Sequence, residues 1–134
     1  MLFRSKAAGA KRAIALPVSA PFHCALMYPA AEVMAAALAQ VEIKTPCVPV
    51  VANVLAGPVS DPADIRQRLV EQVTGTVRWR ESIAWLASQG VTTFYEVGAG
   101  KVLSGLVKRI AESATGVAIG TPADIAAFRD RPKG

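Results

Sequence analysis

The chain has 134 residues, the length of one domain, and 52% of them are hydrophobic, yet no run reaches the roughly 18 apolar residues of a membrane helix. Its net charge of +5 lies at the ends: residues 1–12 carry four basic groups and no acid, residues 13–100 five basic and seven acidic, residues 101–134 six basic and three acidic. That distribution lacks the aromatic-studded basic stripe of a nucleic-acid binder, and Cys24 and Cys47 are too few for a disulfide framework or a metal site. Neither a membrane nor a nucleic acid is expected as partner, and reduced thiols point to a cytoplasmic location.

Met1-Leu2-Phe3 leads straight into Arg4 and Lys6, so no secretory leader is expected. Residues 6–12 read as the end of a helix leaving through Gly9, and residues 13–18 as a short strand. The stretch Leu16-Pro17-Val18-Ser19-Ala20-Pro21-Phe22-His23-Cys24-Ala25-Leu26-Met27 follows, with the only histidine of the chain. Its prolines and serine separate an apolar run from a helix, a junction able to hold one side chain at the mouth of a cleft. Histidine is the side chain whose ordinary pKa lies nearest neutrality, which makes His23 a candidate general base. The plainer reading is a packed imidazole with one satisfied nitrogen. Cys24 beside it invites a thiol–imidazole pair, but neighbours on an extended chain point to opposite faces.

A helix is expected over residues 25–40, with Met27, Ala31, Met34, Leu38 and Val41 on one face and Pro29 in its first turn. Residues 46–54 read as a buried strand of the parallel type, with Pro49 at its start or edge. Asn53 at its far end either serves a site or bonds loop backbone. Gly57-Pro58 reads as a turn. Asp61 then caps a helix opening at Pro62 and running to about residue 73, with Ile65, Leu69 and Val73 inward and Gln72 beside that line. Another helix runs from residue 76 or 77 to 89 on Trp79, Ile83 and Leu86, and Gly90 stops it.

Residues 91–97 form the clearest strand, then Gly98-Ala99-Gly100 leads into a helix over 101–110. The Gly-x-Gly lacks a third glycine and no Walker Gly-Lys-Ser/Thr occurs, so it reads as a tight turn rather than a phosphate loop. The helix N-terminus and Lys101 leave room for an anion nearby. A short strand over 117–119, a helix over 121–128 and a frayed tail over 129–134 complete the chain. Alternating helices and strands make the fold class α/β, with right-handed crossovers.

Four ordered stretches carry a resemblance. They are Ser19-Ala20-Pro21-Phe22-His23-Cys24-Ala25-Leu26-Met27; Val48-Pro49-Val50-Val51-Ala52-Asn53-Val54; Leu69-Val70-Glu71-Gln72-Val73 with Val77-Arg78-Trp79; and Tyr95-Glu96-Val97-Gly98-Ala99-Gly100-Lys101-Val102-Leu103-Ser104-Gly105-Leu106. Over residues 6–128 the chain resembles the malonyl-CoA:acyl carrier protein transacylase family. The resemblance implies the C-terminal part of a large, hydrolase-like α/β acyltransferase subdomain over residues 19–134. Residues 1–18 would close a small ferredoxin-like subdomain.

It also implies a reaction: ping-pong transfer of malonyl from coenzyme A to acyl carrier protein, in fatty acid biosynthesis, without metal or redox cofactor. His23 matches the base that activates the family's serine, and Gln72 the residue whose backbone carbonyl orients that base. Phe22 and Asn53 stand at substrate-binding positions, and in related acyltransferase domains a phenylalanine before the histidine goes with malonyl over branched units. The family's serine elbow, Gly-x-Ser-x-Gly, is absent from this sequence, as are the upstream arginine and glutamine loop. The chain alone is therefore expected to be inactive and to need a separate serine-bearing half. The rival readings are a non-catalytic fragment touching acyl carrier protein or coenzyme A through its basic ends, and a thiol enzyme using Cys24 with His23.

Overall fold

In the computed structural model, which describes residues 2–14 and 17–131, one half of the fold is a strand–helix–strand unit. Strand β3 (Thr93–Val97) runs parallel to β4 (Thr115–Ile119), with Tyr95 opposite Val117, and α5 (Val102–Ile110) connects them. Leu106, Val107 and Ile110 recur at helical spacing, so one stripe of α5 faces the sheet. Val107 and Ile83 are fully buried, with Ala111 and Ala114, and Trp79, Ala87, Phe94 and Ile110 close around them. Ile83 comes from α4 (Trp79–Ser88), which ends before Gly90 at φ 89°. Helix and sheet meet at backbone distance at Gly116, where an added Cβ would stand 2.3 Å from the Ser104 carbonyl oxygen.

The glycine turn is a turn, with Gly98 and Gly100 at φ 140° and 101°. The anion expected near the start of α5 belongs to the chain itself. The Glu96 carboxylate accepts from the N–H groups of Leu103 (3.2 Å) and Ser104 (2.7 Å). Those bonds, the one from Ser104 foremost, hold its carboxyl below the ordinary glutamate range. After β4, α6 (Pro122–Arg129) opens on a capping box in which Thr121 and Asp124 each bond the other's backbone N–H. Phe128 meets Tyr95 edge to face at 5.1 Å.

The other half is built from α2, a hairpin and α3. A 3-10 turn (Ala25–Met27) leads into α2 (Tyr28–Ala39), so the expected helix is present with a tighter first turn. Ala31 is buried and Leu38 half-buried, whereas Met34 and Val41, expected on the same inner face, lie exposed at its rim. Asp61 caps α3 (Pro62–Thr74) by accepting from the N–H groups of Ala63 and Asp64 at 2.9 Å. Leu69, expected inward, is about half exposed.

The buried parallel strand over residues 46–54 is corrected. The ladder is a short antiparallel hairpin, β1 (Val50–Ala52) with β2 (Gly57–Val59), in the register Val50–Val59, Val51–Pro58 and Ala52–Gly57. Gly57-Pro58, expected as a turn, lies in β2, and the turn is residues 53–56 with Ala56 at φ 54°. Pro58 has no N–H to give a second neighbour, which suits an edge strand.

The strands make two separate two-stranded sheets among the described residues, so the α/β class holds with less sheet than expected. Helix α1 (Leu2–Ala7) ends before Gly9 at φ 88°. The strand expected over 13–18 has its centre, residues 15 and 16, outside the described residues, and 13, 14, 17 and 18 join no ladder. The end of the expected tail, 132–134, lies outside them too.

Candidate functional site

His23 stands in the turn that follows Pro21, at φ 56°. This is the left-handed region, uncommon for a residue with a Cβ, and such residues gather at functional sites. Its side chain reaches across the fold to the end of α3, where Nδ1 lies 2.9 Å from the Gln72 carbonyl oxygen. A carbonyl only accepts, so Nδ1 donates and the proton of the neutral ring is fixed there. Nε2 is left with its lone pair, and the residue is exposed.

Gln72 has a carbonyl to spare because it lies in the last turn of α3, whose final carbonyls lack intrahelical donors. The helix ends at Gly75, whose N–H bonds the Glu71 carbonyl at 2.8 Å. Two ion pairs from Arg68, to Asp64 (2.9 Å) and Glu71 (2.7 Å), brace the same helix.

Phe22 precedes His23 and is exposed, with its N–H on the Ala20 carbonyl at 2.9 Å. Cys24 turns back, its Sγ donating to the Pro21 carbonyl at 3.0 Å, so the thiol is engaged with backbone rather than with His23. Asn53 lies in the hairpin turn. Its carbonyl accepts from Arg78 N–H at 3.1 Å, and its Oδ1 lies 3.0 Å from the hydroxyl of buried Ser82. It also shares a cleft of about 160 Å³ with Gln72, Val51, Ala52, Val59 and Ile65. Gln72 is thus the hinge of the site: bonded to His23 on one side, lining the Asn53 cleft on the other. Sequence reasoning did not single out Gly75, where α3 stops with the backbone extended at φ −85°.

Among the described residues no three His, Cys, Asp or Glu side chains gather as a metal site would require. No described helix is long and apolar enough to cross a membrane.

No protein-family model matches the chain. The malonyl CoA-acyl carrier protein transacylase of Salmonella typhimurium is 52% identical over 122 residues, covering 91% of this chain and 40% of the relative. The crystal structure of an acyl-carrier-protein-S-malonyltransferase from Bartonella henselae superimposes with a TM-score of 0.86 and 51% identity, over 96% of this chain and 41% of that one. A malonyl-transacylase solved in complex with its type II PKS acyl-carrier protein matches with a TM-score of 0.82 and 43% identity, over 94% and 41%. The chain spans about 40% of the length of the relatives it matches. By sequence and by fold the chain matches malonyl-CoA:acyl carrier protein transacylases over about 40% of their length.

Proposed function

We propose that the chain is the histidine-bearing part, residues 19–134 of it the C-terminal end of the larger subdomain, of a malonyl-CoA:acyl carrier protein S-malonyltransferase. The observation that carries this reading is the bond from His23 Nδ1 to the Gln72 carbonyl, which leaves Nε2 as acceptor. A serine on an elbow outside this sequence gives its proton to Nε2 as its oxygen attacks the malonyl thioester carbonyl. The C–S bond breaks, and His23 returns the proton to the departing coenzyme A thiol. In the second half the phosphopantetheine thiol of acyl carrier protein gives its proton to Nε2 and attacks the malonyl ester carbonyl; the C–O bond to the serine breaks, and His23 returns the proton to the serine oxygen. Phe22 lies against the acyl group, and Asn53 borders the cleft. The free cysteines Cys24 and Cys47 suit the cytoplasm, where these substrates occur.

By this reading the chain alone has a base with no proton to take. Incubated with malonyl-CoA, it gains no malonyl mass and transfers nothing to acyl carrier protein above background. Ser104, which follows the glycine turn, donates to the Lys101 carbonyl at 3.3 Å within α5, and its neighbour is the Glu96 carboxylate rather than His23. Co-expression with a serine-elbow segment of a relative restores transfer, and His23→Ala then lowers kcat by on the order of 10⁶. A stable malonyl adduct on the isolated chain, mapped to Ser19, Cys24 or Ser104, overturns the reading.

A further inference from the structure

Gln72 contributes a side chain as well as a carbonyl. Its amide Nε2 donates to the Gly75 carbonyl at 3.2 Å, so one residue ties both His23 and the segment leaving α3. A glycine stands at position 75 for lack of space, since its φ of −85° suits any residue. A Cβ there would lie 2.8 Å from Val54 Cγ2 and 2.9 Å from the Glu71 carbonyl oxygen. Val54 could turn aside, but the Glu71 carbonyl is helix backbone, one residue before Gln72.

Beyond Gly75 the chain runs extended, and no backbone N–H reaches the Gln72 carbonyl among the described residues. Had α3 continued, the N–H of Thr76 would take that carbonyl by the ordinary helical bond. The stop at Gly75 is what leaves the acceptor free. The hairpin turn clamps the same connection: besides the Arg78 N–H on Asn53, the Arg78 guanidinium donates to the Leu55 carbonyl at 2.9 Å.

We propose that Gly75 and the Gln72 side-chain amide are positioning residues, which end α3 so that the Gln72 carbonyl stays free and directed at His23. The catalytic meaning of this rests on the reading of His23 as the base; the positioning itself is measured without any reaction. His23 is the only histidine, so the ¹H–¹⁵N multiple-bond spectrum of the labelled chain, at a pH where the ring is neutral, shows one imidazole and which nitrogen bears its proton. The full chain is used, alone or with the elbow-bearing segment.

The unaltered chain shows the Nδ1–H form. Gln72→Met, which keeps the length and loses the donor, and Gly75→Ala both move the population toward Nε2–H. Gly57→Ala, where an added Cβ meets nothing within 4 Å, leaves it unchanged. In the reconstituted enzyme both site variants lower kcat by roughly 10–100-fold with KM little altered, the size of effect a misplacement of about 1 Å produces. An unchanged proton position in both variants overturns the proposal, whether or not the reconstituted enzyme is active. A shifted proton without transfer by any reconstituted enzyme upholds the positioning and counts against the proposed reaction instead.

Discussion

The left-handed backbone at His23 costs about 1–2 kcal/mol relative to the right-handed region, and its bond to Gln72 returns about 1 kcal/mol. The residue before it has no such constraint. Phe22 is exposed, so Phe22→Ser removes little packing and should change stability by less than about 0.5 kcal/mol. In the proposed enzyme its effect belongs to selectivity. A ring beside the acyl α-carbon excludes a methyl branch, and one methyl is worth about 1–3 kcal/mol of discrimination. In a reconstituted transacylase carrying this chain, Phe22→Ser should lower the malonyl-to-methylmalonyl ratio of kcat/KM. A ratio within twofold of the parent, about 0.4 kcal/mol, would refute the role. Of the site itself, His23 was legible because it is unique and sits at a break between two elements. Its bond to Gln72 spans 49 positions. No local pattern encodes such a contact, so only the family resemblance pointed to it. Asn53 shows the same limit: its side chain meets Ser82 on a helix that begins 26 residues later, a partner no strand-end pattern names.

At the scale of elements, α5 and the strands it joins were legible as elements because helical spacing and a β-branched run mark them, although which residues they bury was not: Val97 and Val102 are exposed while Glu96 is half-buried. The hairpin was not, because an apolar run reports burial and not the direction of its partner. Two glycines on either side of the α5–β4 contact give opposite predictions. Gly116→Ala drives a Cβ into the Ser104 backbone and should destabilise by about 1–3 kcal/mol, because α5 must lift off the sheet. Gly105→Ala, inside α5 with nothing within 4 Å, should stabilise by about 0.5–1 kcal/mol through helix propensity. Denaturant midpoints of the two variants should move in opposite directions, and a shared direction would count against the packing of α5 on β4. Glu96 adds a pH dependence. Its folded pKa is depressed, so its contribution is present above the unfolded value of about 4.3 and is lost as pH falls through the folded one. Glu96→Gln should therefore lower the midpoint at pH 7, and its difference from the parent should shrink as pH is taken progressively below the unfolded value; a difference that does not change with pH would show that charge at the start of α5 is irrelevant.

The molecule as a whole leaves many large apolar side chains exposed. Leu26 is 75% exposed, Val33 70%, Val97 80% and Val102 72%, and Phe22 and Tyr28 are more than half exposed. Sheet β3–β4 has two strands, so each leaves one edge without a β partner among the described residues. Such edges and patches promote association, and buried apolar area is worth about 25 cal/mol per Å². The relatives that match this chain are more than twice as long, the 122 matched residues being 40% of the relative. In the proposed enzyme the serine-bearing remainder would cover these faces. The isolated chain should therefore dimerise, aggregate or bind a hydrophobic dye such as ANS. Adding the elbow-bearing segment should lower the dye fluorescence and shift the light-scattering mass to that of a one-to-one complex. The dye signal should fall in step with the recovery of malonyl transfer, because docking both buries the apolar faces and brings the serine to His23. A monodisperse monomer with a sharp thermal transition and no dye binding would show that these faces need no cover, and would remove the physical reason for expecting the two parts to dock.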